Sequence, residues 1–366
     1  VAVLFIVGYH VGGGATFTFA PVHWFGEGLK QGWIGVLLFF VLSGFLITGI
    51  LWDSRGEPHW IRNFYARRML RILPLYYLAL LLVLLGAVVA GTFREALARI
   101  WSPLLFLQDF PGLPTEYMRH NYSPLPIVHL WSLAVEEQFY LLWPFLLLLT
   151  KTTRSALYLC ASIFLISASI GIAEAFIPVI SLHVPLVVPH AAEIAAGAWL
   201  AIAYRTPLWY RLQQPARVIA PLALALFIIS VLYPSLDAIS PLAIALCFSA
   251  LLILALQPGA IARLLSFGAL CSLGTLSYGI YVYHVLLWPV FKFAARHIGG
   301  PTQGVLGQII RVSVRLAITL LVSWVSFHYF ERPFLRLKHR YPTAGPADIH
   351  PPHAQRFAPA SIQPTT

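Results

Sequence analysis

The fold class this sequence predicts is an all-α integral membrane protein, a bundle of about ten transmembrane helices. Of its 366 residues, 59% are hydrophobic and 10% charged, whereas soluble domains carry roughly a quarter charged residues. Mean hydropathy is +0.79. Apolar runs of roughly 20 residues, each enough to cross about 30 Å of hydrocarbon, recur along the chain. These runs are continuous in Leu, Val, Ile and Phe and lack the alternation of a β-barrel strand, so helices must satisfy the backbone within each span.

The first run, near residues 1–16, opens on VAVLFIVGYH and holds His10. No methionine or basic residue stands before it, so we expect residues upstream of Val1 to complete the span, with no signal peptide needed. The second run covers 33–52. A connecting segment, FYARRMLRILPLYY (Phe64 to Tyr77), leads into the third at 70–90, with Pro74 kinking or ending its first turn. Further runs lie near 127–149, 156–177, 186–204, 216–233, 239–256, 273–294 and 308–330. Residues 1–338 read as one membrane domain. The remainder, 339–366, is rich in proline and poor in large aliphatics, and reads as a disordered cytoplasmic tail.

Charge sets the orientation. With the N-terminus inside, eight of the 24 lysines and arginines fall outside or near the outer helix ends: Lys30, Arg94, Arg99, Arg119, Lys292, Arg296, Arg311 and Arg315. The rest lie in inside loops and the tail, a two-to-one bias that predicts N-in and C-in. The formal charge of +11 is therefore topological. It is scattered among loops rather than gathered on one soluble face, which argues against nucleic-acid binding. Cys160, Cys247 and Cys271 share no metal-ligand spacing and read as small core residues, and no metal site is expected.

Several polar residues stand where burial is costly. HLWSLAVEEQFYLLWPFLLLL (His129 to Leu149) carries Glu136 and Glu137 at the entrance to an apolar run. A helix started near Pro126 places His129, Ser132, Glu136 and Tyr140 on one stripe, with Glu137 projecting about 100° away toward a neighbouring helix or the headgroups. This stripe is either a hydrogen-bond network holding helices together or a site. His10 is either a core histidine or a general base, since imidazole is the side chain best suited to take a proton near neutral pH. Arg67, Arg68 and Arg71 share a helical face, as a positive-inside anchor or as a grip for phosphates. LSYGIYVYH puts Ser277, Tyr281 and His284 on one face, and FHYFERPF sets Glu331 at the end of the last span. Glu174 and Glu193 add two more carboxylates in apolar surroundings. Their number implies a polar cavity within the bundle.

In this order the motifs resemble the acyltransferase-3 family of integral membrane acyltransferases, which includes O-acetylases of bacterial surface polysaccharides. The resemblance rests on His10, GVLLFFVLSGFLI (Gly35 to Ile47), FYARRMLRILPLYY, HLWSLAVEEQFYLLWP, LSYGIYVYH and FERPF, spread from residue 1 to about 338. It implies a multi-pass protein of the bacterial inner (plasma) membrane. Such a protein moves an acyl group, commonly acetyl from acetyl-CoA, to a hydroxyl of a glycan or lipid-linked sugar, with acyl-CoA as co-substrate and no tightly bound cofactor. His10 is similar to the family's essential histidine. The arginine that normally stands about ten residues before it, about 15 Å along a helix, would precede Val1. His190 stands in PHAAEIAAG where the family often has arginine, and it is given no role.

The resemblance then implies catalytic roles for His10 and Glu136 and coenzyme A phosphate binding by Arg67, Arg68 and Arg71. His129, Ser132, Glu137, Ser277, Tyr281, His284 and Glu331 would support the cavity. His10 would deprotonate the acceptor hydroxyl or first carry the acyl group itself. A polytopic transporter or flippase using the same carboxylates and histidines is the competing class, and no inverted repeat supports it. An inactive acyltransferase-like scaffold is the third.

Overall fold

The computed structural model describes residues 1–12, 30–110, 127–177, 184–297 and 304–343. Among them there are helices and no strands. In chain order the α-helices are α1 (Ala2–Gly12), α2 (Ile34–Asp53), α3 (Trp60–Val89), α4 (Phe93–Arg99), α5 (Trp101–Leu104), α6 (Trp131–Leu148), α7 (Thr153–Phe176), α8 (Val187–Tyr204), α9 (Leu208–Leu232), α10 (Ser240–Ala255), α11 (Ala260–Leu265), α12 (Gly268–Leu286), α13 (Trp288–His297), α14 (Gly304–Ser326) and α15 (Arg332–Arg336).

Within the described residues, each of the ten apolar runs falls on helical segments. By length and composition, seven helical segments among the described residues are long and apolar enough to cross a membrane, including Trp60–Val89 and Leu306–Arg340. The other three runs are shorter or more polar. The described part of the first run ends at Gly12, α10 has 16 residues, and α6 carries Glu136, Glu137 and Gln138. The expected disordered tail lies almost wholly outside the described residues.

Three boundaries differ from the sequence reading. The segment FYARRMLRILPLYY is not a connection but the opening turns of α3, which runs through Pro74 without ending. Proline removes one backbone donor, and a helix packed on its neighbours over 30 residues absorbs that loss. The run at 273–294 divides after α12, where Trp288 and Pro289 begin α13. At the end of α14 the chain widens into a π-turn over Phe327–Glu331, followed by Arg332 and Pro333 at the start of α15. Such turns are rare and cluster at functional sites.

Two apolar cores flank α6. One joins α2, α6, α8, α9 and α10 around Phe40, Trp143 and Trp209. The other joins α3, the start of α6 and α12 around Leu75, Tyr76, Leu130 and Val282. A smaller cluster of Val3, Val7 and Ile280 seats α1 on α12. Cys160 and Cys247 are buried as expected, whereas Cys271 is exposed near the start of α12.

Helices α2 and α8 meet backbone to backbone. A Cβ on Gly44 would stand 1.9 Å from the Ile194 carbonyl oxygen, and one on Gly197 would stand 1.9 Å from that of Val41. Between apolar helices, small residues allow the approach that dispersion and packing require. Asp53 and Arg205, at the ends of the same two helices, form a paired salt bridge, and Arg205 also donates to the Ala201 carbonyl at 2.7 Å. Gly44→Ala should therefore cost about 1–3 kcal/mol, as overpacking does, read as a lowered Tm in detergent. Gly86→Ala, whose new Cβ meets nothing within 4 Å, should leave Tm unchanged or slightly raised. Equal shifts in the two variants would contradict the close crossing.

Candidate functional site

The site forms along the face of α6 between the two cores. A short 3₁₀ turn, Val128–Leu130, precedes this helix, so His129 is not on the α-helical stripe the sequence predicted. It still faces the same way. Its ring packs edge-on against Tyr281 and His284, with centroids 5.2 and 5.0 Å apart. The Tyr281 hydroxyl donates its one proton to the His129 carbonyl and so accepts from the Ser132 hydroxyl, at 2.6 Å. His284 reaches across to α1, where its Nε2 is hydrogen-bonded to His10 Nδ1 at 3.2 Å. Three histidines from distant parts of the chain thus share one buried corner.

Ser132, Glu136 and Tyr140 continue from that corner at intervals of four residues, covering about 12 Å of helix. Glu136 is 1% exposed and accepts from the Tyr140 hydroxyl at 3.0 Å. With its proton so committed, Tyr140 accepts from Ser43 on α2. The Arg68 guanidinium lies 3.6 Å from the centre of the Tyr140 ring and is bonded to Glu137 at 2.9 Å. Glu137 therefore does more than face a neighbour or the headgroups. Its offset of about 100° from Glu136 aims it at α3, where Arg68 neutralises it.

The arginine trio separates on inspection. Arg67 donates to the carbonyls of Lys338 and Tyr341, at 3.2 and 3.0 Å, and ties α3 to the chain after α15. Arg68 is taken up by Glu137. Arg71 is exposed and has Arg68 and Glu331 among its charged neighbours. Lys338 stands within electrostatic reach of all three and was not singled out by the sequence. Its signal was its place in FERPFLRLK, where the π-turn brings the chain back onto α3. Glu331, in that turn, is 7% exposed and accepts from Ser326 at 3.1 Å, while Ser326 accepts from Tyr283 at 3.1 Å.

Ser277 does not join. Its hydroxyl donates to the Gly274 carbonyl at 2.7 Å, and its position a full turn before Tyr281 sets it about 6 Å from the histidine corner along α12. Other contributors were not foreseen. Gln138 donates to the Phe106 carbonyl and to Asp109, both at 2.6 Å, and Gln108 donates to the Leu130 carbonyl at 2.9 Å. Tyr76 stacks on Phe106 with centroids 4.3 Å apart. These contacts hold the segment after α5 against the start of α6. His190 packs between Phe40 and Trp131, with Nδ1 3.7 Å from Glu193. Among the described residues no three His, Cys, Asp or Glu are disposed to share a metal ion.

Comparison with known proteins bears on what this line of groups is for. Residues 1–328 match the family model described as an acyltransferase domain. The chain belongs to the acyltransferase-3 family. A putative peptidoglycan O-acetyltransferase of Bacillus subtilis is 28% identical over 362 residues, covering 91% of this chain and 53% of the relative. A peptidoglycan O-acetyltransferase of Listeria monocytogenes is 28% identical over 367 residues, covering 91% and 54%. A putative O-acetyltransferase of Staphylococcus aureus is 32% identical over 145 residues, 37% of this chain and 23% of the relative. The chain spans about half the length of the first two relatives. No solved structure matches it.

The ion pair between Arg68 and Glu137 generates a stability prediction. Arg68→Ala and Glu137→Ala should each lower Tm, because each leaves its partner's charge uncompensated in a partly buried site. The double variant should lose less than the sum of the singles, with a coupling of about 0.5–3 kcal/mol. Strict additivity would mean that the pair is not formed.

Proposed function

We propose that this acyltransferase-3 chain is a membrane O-acyltransferase that moves acetyl from acetyl-CoA to a hydroxyl of a bacterial envelope glycan. A peptidoglycan-like acceptor is the first to test, because that is what two relatives are named for. The observation that carries the reading is the line of polar groups running from His10 through His284, Tyr281 and Ser132 to Glu136, Tyr140 and Arg68. A network that only held helices together would not need a histidine corner and a cationic end on the same face of α6.

In this reading Arg71 and Lys338, beside Arg68, hold the phosphates of coenzyme A at the cytoplasmic mouth, with both termini inside. Guanidinium forks suit phosphate oxygens, and an exposed arginine at the mouth is free to meet them. Arg67, committed to backbone carbonyls, keeps α3 and the chain after α15 together and so shapes the mouth. The thioester is directed along α6 toward His10.

His10 takes the proton of the acceptor hydroxyl as its oxygen attacks the thioester carbonyl. The carbon–sulfur bond breaks, and the departing thiolate recovers the proton. In the covalent variant the imidazole itself attacks first and the acceptor oxygen displaces it. Either way, Glu136 fixes Tyr140 and with it the Arg68 end of the path.

With radiolabelled acetyl-CoA and membrane glycan, His10→Ala should lower transfer by about 10²–10⁴-fold, the usual worth of a positioned general base. Equal labelling by parent and variant would remove His10 from the chemistry. Arg71→Gln should raise KM for acetyl-CoA and leave that for acetyl-pantetheine, which lacks the nucleotide phosphates, nearly unchanged. A parallel rise for both donors would show that the cation does not read phosphate.

A further inference from the structure

Their hydrogen-bond partners leave the two bonded histidines little choice of protonation pattern. His284 Nδ1 lies 2.7 Å from the Tyr281 carbonyl oxygen and 3.2 Å from that of Ile280. A carbonyl only accepts, so Nδ1 carries the hydrogen, and in the neutral ring Nε2 is a bare acceptor. His10 Nδ1 faces that acceptor at 3.2 Å and also faces the Ile6 carbonyl at 3.0 Å. It must therefore be the donor to both. The hydrogen of neutral His10 is thus on Nδ1, and the lone pair is on Nε2. The reverse arrangement would set a nitrogen lone pair against carbonyl oxygens on both rings. A charged His284 would cost the desolvation of an imidazolium in a side chain that is 4% exposed.

From this we infer that His284 is a positioning residue for His10, accepting its Nδ1 hydrogen and so holding the tautomer and ring orientation that present Nε2 to substrate. The Ile6 carbonyl cannot do this alone. In a helix it already serves the backbone N–H four residues on, which is that of His10 itself. His284 supplies an acceptor from a different helix, and its Nε2 is bonded to His10 and, among the described residues, to no second donor. The arrangement parallels a carboxylate behind a catalytic histidine, with a neutral imidazole in its place. When His10 Nε2 gains a proton, the positive ring donates its Nδ1 hydrogen to His284 more strongly, so the contact favours the charged intermediate over the resting state. Its catalytic part rests on the acyl-transfer reading above, whereas the tautomer assignment does not.

The test uses the full chain in nanodiscs, with ¹⁵N-labelled histidine and His10 assigned by difference from His10→Gln. In the parent, the Nε2 nitrogens of His10 and His284 should both resonate as unprotonated. His284→Phe should turn the His10 signal into an average of two tautomers. It should also lower kcat roughly ten- to hundredfold, as loss of a partner that orients a functional histidine does, with little change in either KM. His284→Gln, whose amide oxygen can accept the same hydrogen, should restore most of the rate and the single tautomer. A parent His10 with its hydrogen on Nε2, an unaltered His10 spectrum in His284→Phe, or equal rates in the Phe and Gln variants would each overturn the assignment. Absence of acyl transfer in the parent would count against the proposed function alone, and the nitrogen spectrum would still decide the role of His284.

Discussion

The need to satisfy polar groups within an apolar bundle is the constraint on which the site depends. Glu136 is held beside Tyr140, Glu137 is neutralised by Arg68, and Ser132 and Tyr281 close on a backbone carbonyl. An unpaired carboxylate at this depth costs several kcal/mol. The solution adopted is two sets of partners drawn from α1, α2, α3, α6 and α12, one joining His10, His284, Tyr281 and Ser132 and the other joining Ser43, Tyr140, Glu136, Arg68 and Glu137, both along one face of α6. The same bonds that hold these helices in register set these polar groups in a row.

The two apolar cores explain why that row lies along α6. Trp143, Phe40 and Trp209 fix one side of the helix, and Leu130 and Val282 fix the other. The remaining stripe of Ser132, Glu136 and Tyr140 is left to meet the polar faces of α2, α3 and α12. At one end α1 is seated on α12 by Val3, Val7 and Ile280, which brings His10 to His284. At the other, the π-turn ahead of Pro333 swings Glu331 and Lys338 onto α3. Packing here positions chemistry that no single helix contains.

Much of this was legible in the sequence because membrane helices obey strict rules. Continuous apolar runs marked the long helices, seven of which among the described residues are long and apolar enough to cross a membrane, and the spacing of four between Ser132, Glu136 and Tyr140 marked the stripe. The motif order gave the family, which the match over residues 1–328 bears out. Periodicity failed where a boundary or a tertiary partner decides. It put His129 on a helix that begins two residues later, and it put Ser277 in a corner that lies a turn further along. It could not show that Arg67 is spent on carbonyls 271 and 274 residues away. Nor could it show that Glu137 meets Arg68 or that Lys338 completes the basic end. Contacts between segments so distant in sequence leave no periodic trace.

The proposed chemistry requires a single polar path from the basic end of α3 to His10. A cryo-EM map of the chain in nanodiscs with a non-hydrolysable acetyl-CoA analogue tests it most directly. The account predicts phosphate density against Arg71 and Lys338, with the pantetheine arm lying along Ser132 and Glu136 and its acyl end toward His10. Well-defined analogue density elsewhere on the bundle, with the α6 face empty, would contradict it.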